Sequence, residues 1–138
     1  MNKFIFTLLS VTLFVTGCKK HKLDNGCEVK VCTKEFVSLN VYFTNNYGTP
    51  INVNNFSVYN QRTKTNLILK TNKQPTEVGN YVVADDNMLD QLSTEGDNVL
   101  ISGTYPVTNQ TKTAVVNISG GCNCHVAKKS GPGVINFD

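Results

Sequence analysis

Val37, Leu39, Val41 and Phe43 alternate with Ser38, Asn40 and Tyr42. A period of two places one set of side chains on a single face of an extended chain, so this run predicts a strand with one buried face. The same character recurs downstream. Ile51 and Val53 alternate, and Phe56-Ser57-Val58-Tyr59 resumes β character. Residues 60–65 form a polar connector, and Leu67-Ile68-Leu69 is the expected return strand of a hairpin. Tyr81-Val82-Val83-Ala84, Val99-Leu100-Ile101-Ser102 and Ala114-Val115-Val116-Asn117-Ile118 supply three more short runs. A last strand is expected through residues 122–128, and Val134-Ile135-Asn136-Phe137 adds a short edge strand. Turn chemistry separates these runs, as in Asn45-Asn46-Tyr47-Gly48-Thr49-Pro50 and Ser130-Gly131-Pro132-Gly133. Only residues 86–92 carry a helical pattern, with Asp86 as the cap and Met88, Leu89 and Leu92 on one face. About seven short strands with polar turns define an all-β chain, a single β-sandwich of the Ig-like kind. The Cys-Trp-Cys core of antibody domains is missing, because the chain has no tryptophan.

A chain of 138 residues holds one domain, or one domain with a tail, and not a separate cofactor domain beside a substrate domain. Hydrophobic residues make up 40% and charged residues 17%, which suits a globular protein rather than a disordered one. The net charge of +3 is too small to indicate a nucleic-acid partner.

The N-terminus reads as an address. One positive charge at Lys3 precedes twelve mostly apolar residues, 4–15. A spanning helix needs about 20 such residues, so this run has the length of a signal-peptide core. It ends in Val15-Thr16-Gly17-Cys18, which resembles the lipobox of bacterial lipoproteins. The resemblance covers residues 1–18 and implies that residues 1–17 are removed. Cys18 then becomes the first residue, with a diacylglycerol on its thiol and an acyl group on its amine. Several acyl chains give stable anchoring, since each buried methylene contributes roughly 0.8 kcal/mol. Residues 18–26 follow as the lipidated cysteine and a flexible basic tether, containing Lys19-Lys20-His21-Lys22, and residues 27–138 form the sandwich domain. In the lipoprotein family an Asp after the lipidated cysteine often marks inner-membrane retention. Lys19 stands there instead, which implies outer-membrane sorting. No acidic export patch lies near the anchor, so a periplasm-facing position is favoured over the cell surface.

Two further stretches carry a resemblance. Cys32-Thr33-Lys34-Glu35-Phe36, a strand, and then Gly48-Thr49-Pro50-Ile51 resemble the start of carboxypeptidase-regulatory-like or transthyretin-like β-sandwich domains. Residues 124–132, from Cys124-His125 to Gly131-Pro132, resemble the end of small uncharacterised lipoproteins from Bacteroidota-type bacteria. The resemblance implies a fold and an envelope location. It brings no catalytic residues with it.

Four cysteines remain beside Cys18: Cys27, Cys32, Cys122 and Cys124. An exported chain with an even number of thiols is expected to form disulfides. Joining Cys122 to Cys124 within a strand would close a strained three-residue ring. The two other pairings both staple the N-terminal segment to the last strand. If those segments run antiparallel, Cys27 pairs with Cys124 and Cys32 with Cys122. Cys27 and Cys32 would lie about 17 Å apart if extended, and Cys122 and Cys124 about 7 Å, so residues 28–31 must bend.

Two rival chemistries are weighed against this. Cys122, Cys124 and His125 offer two thiolates and an imidazole, which with Cys27 and Cys32 would suit zinc or copper(I). The spacing is not that of a zinc ribbon. Asp85, Asp86, Asn87, Asp90, Glu95 and Asp97 gather oxygen ligands within residues 85–97, as a calcium loop would require, and two of Asp85, Asp86 and Asp90 beside Tyr81 would suit a small carboxylate-dependent hydrolase. They equally suit turns and caps. No G-x-S-x-G or H-E-x-x-H motif is present. The expectation is therefore a non-enzymatic, lipid-anchored envelope module without a cofactor, held to the membrane through Cys18, with an unknown protein or small-molecule ligand.

Overall fold

A computed structural model describes residues 26–69 and 77–138. The leader, Cys18 and the basic tether at residues 19–22 lie outside the described residues. Eight strands among the described residues form two sheets. They are β1 (Ser38–Thr44), β2 (Asn54–Asn60), β3 (Thr65–Asn66), β4 (Asn80–Asp85), β5 (Asp97–Thr104), β6 (Thr111–Ser119), β7 (Ala127–Ser130) and β8 (Val134–Asn136). One sheet has the order β4-β1-β8 and the other β3-β2-β5-β6-β7. All pairings are antiparallel except β1 with β8, which is parallel. The chain is all-β, and its two sheets form a sandwich-like arrangement around one apolar core, as the period-two runs predict. No described helix is long and apolar enough to cross a membrane.

The alternating residues fill that core. Val41 and Phe43 of β1 are buried, as are Val99 and Ile101 of β5, Val116 and Ile118 of β6, and Ile135 of β8. Every residue of β4 is buried. The sandwich has two poles. Strands β1 and β6, read in their register, run between a pole near Val37, Asp86 and Asp97 and a pole near residues 45–50 and 105–110. The second pole is closed by aromatic rings. Phe43 meets Tyr81 edge-on at 5.5 Å and Phe56 at 6.2 Å, and Phe137 lies 6.0 Å from Phe43 and 5.5 Å from Tyr105.

Four local expectations need correction. The return strand of the hairpin is Thr65–Asn66, not residues 67–69. Leu67 still donates its N–H to Val58, but the backbone of Ile68 is taken by the Gln91 side chain, whose Oε1 accepts at 2.9 Å and whose Nε2 donates at 3.1 Å. A side-chain amide there replaces a strand partner. The helical segment is a 3-10 helix, η1 (Asp86–Gln91), and its cap is Asp85 rather than Asp86, because the Asp85 carboxylate accepts the Asn87 N–H at 2.9 Å. Met88 and Leu92 are buried as expected, with Leu89 packed against the core. The last antiparallel strand begins only at Ala127, because residues 121–125 are turns and bends. Finally, Cys27 pairs with Cys122 and Cys32 with Cys124. The antiparallel pairing fails because neither cysteine pair sits in a strand ladder.

Candidate functional site

The chemistry-bearing residues gather at the pole opposite the aromatic rings. There the segment ahead of β1 crosses the turn ahead of β7. The two disulfides join them, with Cα separations of 5.3 and 5.4 Å, well inside the range a disulfide accepts. The turn is placed by the loop after η1. Gly121 adopts φ +57°, and a Cβ there would lie 2.6 Å from Thr94 Oγ1 and 2.7 Å from Thr94 N. A side chain at that position would therefore be excluded. The freed space lets Thr94 Oγ1 accept the Cys122 N–H at 2.9 Å, while Asn123 Nδ2 donates to the Thr94 carbonyl at 2.9 Å. Both cysteines of the C-x-C are thus presented outward from a turn.

A second clasp lies beside the bridges. Asp86 Oδ2 accepts the Val37 N–H at 2.8 Å and faces His125 Nδ1 at 2.7 Å, while Oδ1 accepts the Val126 N–H at 2.9 Å. Burial pushes this carboxyl up, but the Val37 N–H, His125 and the Val126 N–H outweigh it and hold it below the ordinary carboxylate range. An ionised carboxylate only accepts, so in the neutral ring Nδ1 carries the proton and Nε2 accepts from the Thr33 hydroxyl at 2.8 Å. The relay Thr33–His125–Asp86 ties the N-terminal segment, η1 and the turn together. None of its members is in the lining of the neighbouring cleft.

That cleft, about 330 Å³ in volume, is bordered by both disulfides and by Glu28, Lys30, Leu89 and Asp90. Of Asp85, Asp86 and Asp90, only Asp90 borders it. Asp85 is buried as a cap, and the Tyr81 hydroxyl is engaged in the core, accepting the Val53 N–H at 2.8 Å and donating to the Val53 carbonyl at 3.2 Å. The carboxylates proposed for a hydrolase are therefore not brought together. Nor do the acidic residues converge as a calcium loop. Asp97 turns to a different task, receiving the Arg62 guanidinium in a bidentate pair, the Asn60 amide at 2.7 Å and the Ser93 N–H at 3.1 Å. Burial opposes its ionisation, but Arg62, Asn60 and Ser93 together hold it far below the ordinary range.

Among the described residues no group of three or more His, Cys, Asp or Glu side chains is placed to hold a metal ion. Cys122 and Cys124 face Cys27 and Cys32 as disulfides, and His125 is turned to Asp86 and Thr33. The sequence reading found the four cysteines but missed the relay. Its members are separated by 39 and 92 positions, and nothing local marks Thr33 or Asp86 as partners of His125.

No family model, no curated protein and no solved structure matches this chain.

Proposed function

We propose that this protein is a non-enzymatic, lipid-anchored component of a bacterial envelope, placed in the outer membrane and facing the periplasm. Its sandwich serves as a binding or structural module. The observation that carries the reading is the pair of disulfides directly after the lipobox-like segment. Bridges of this kind persist in oxidising compartments outside the cytosol. They also suit a load path. A pull on residue 26 is passed through Cys27 to Cys122 and does not peel β1 from its sheet. The non-enzymatic part of the reading is supported by the occupied state of the polar groups at this pole. Asp86 has both oxygens engaged in holding backbone and imidazole, and the relay stands apart from the cleft.

The test is the substitution Cys18→Ser in the full chain. The expected outcome is loss of the protein from the membrane fraction into the soluble envelope fraction. Undiminished membrane association of that variant overturns the anchor.

A further inference from the structure

We infer that the segment ahead of β1, together with the lysines of β7, forms a surface that lies against an anionic phospholipid bilayer, so that the aromatic pole points away from the membrane. The inference rests on the lipid-anchored reading above.

Three observations carry it. The first is reach. Cys27 is pinned to Cys122, and the nine residue steps from Cys18 to Cys27 span at most about 30 Å. An acylated Cys18 therefore holds Cys27, and with it the disulfide pole, within about 30 Å of the bilayer, whatever path residues 19–26 take. The second is exposed apolar surface at that pole. Residues 28–36 are all exposed, and Val29, Val31 and Phe36 are 60%, 103% and 61% exposed, although each is a residue type that burial favours. Apolar side chains interleaved with lysine, as in Val29-Lys30-Val31 and Lys34-Glu35-Phe36, suit the boundary between headgroups and acyl chains. The third is charge. Lys30 and Lys34 ahead of β1 and Lys128 and Lys129 on β7 are exposed and outnumber the two carboxylates of the same stretches, Glu28 and Glu35. Lys128 and Lys129 follow Cys124 by four and five residues, on the strand that leaves the bridged turn. A basic surface held within reach of a bilayer is drawn to anionic headgroups.

The absence of tryptophan makes the test direct, because a single introduced tryptophan is the only one in the protein. The full lipidated chain carrying Phe36→Trp, Val31→Trp or Tyr47→Trp is reconstituted in vesicles of phosphatidylethanolamine and phosphatidylglycerol, with and without brominated acyl chains. Tyr47 is 86% exposed in the turn after β1, at the far pole, so all three changes fall on surface positions the fold tolerates. The expected result is a blue-shifted emission that brominated lipid quenches for Phe36→Trp and Val31→Trp, and an unshifted, unquenched emission for Tyr47→Trp. Vesicle binding with both near-pole tryptophans unquenched overturns the orientation while leaving the anchor intact. A blue shift without quenching assigns the surface to a protein partner or a second copy and also overturns it. Failure of the chain to float with vesicles removes the anchor, and with it this inference.

Discussion

At one pole of the sandwich, Phe43, Phe56, Tyr81, Tyr105 and Phe137 pack ring against ring. At the other, two disulfides, a hydroxyl–imidazole–carboxylate relay and an Arg62–Asp97 pair hold the pole together, and the N-terminal segment they tie down is exposed throughout residues 28–36. A small domain buries only part of its chain, and one pole here is closed by packing while the other needs covalent and polar ties. The difference teaches where the molecule can carry load and where it can present surface. The packed pole is held by ring packing. The tied pole keeps an exposed apolar strap in place without burying it.

Removing both bridges breaks the comparison most severely. Each disulfide alone closes a loop of more than ninety residues, with sequence separations of 95 and 92, which the chain-entropy treatment values at roughly 4–5 kcal/mol. Once one bridge exists, the other closes only the small ring of residues 27–32 and 122–124, worth roughly 2–3 kcal/mol. Replacing Cys27 and Cys122 by alanine, or Cys32 and Cys124, is therefore expected to cost roughly 2–3 kcal/mol in denaturant unfolding, while replacing all four costs roughly 7 kcal/mol. Additive losses from the two pairs would show that the bridges restrain separate motions.

The packed pole has its own test. Phe43 is fully buried and contacts three other rings, so Phe43→Ala is expected to cost about 4 kcal/mol through lost burial and a residual cavity. This loss should add to that of a single bridge, because the two lie at opposite poles. Strong coupling between them would dissolve the distinction drawn above.

Acid gives the smallest and most selective effect. Asp86 and Asp97 both have folded values held below the ordinary range, so their contribution is present above that range and is lost as pH falls through the folded values. Stability should drop below about pH 4, where unfolded carboxylates begin to take up protons. Asp86→Asn should make that drop shallower while leaving the aromatic pole's amide-exchange protection unchanged. An equally steep drop in the variant would assign the acid sensitivity elsewhere.

Much of this architecture can be read along the chain. The alternation at Val41 and Phe43, at Val99 and Ile101, and at Val116 and Ile118 states which faces are buried before any partner is known, because strand periodicity is a property of neighbouring residues. The same holds for the polar turns and for the expectation that Cys27, Cys32, Cys122 and Cys124 form disulfides. What the chain does not display locally is contact between distant residues. The hairpin return strand stops at Asn66 because Gln91, far along the chain, claims the backbone of Ile68. The parallel placement of β8 beside β1 likewise depends on a contact between the two ends of the domain.

What the sequence alone determined was composition by position: which stretches alternate, which residues turn the chain, and which cysteines are available to pair. Only the tertiary structure decided which cysteine meets which, because Gly121 and Thr94 turn the C-x-C out of any strand and so cancel the ladder geometry that spacing suggests. It also decided that Asp86 serves His125 rather than capping η1, since a carboxylate takes the donors that packing brings to it. Short-range periodicity is written in neighbouring side chains, whereas pairing across some ninety residues is settled by the approach of surfaces that no local window contains.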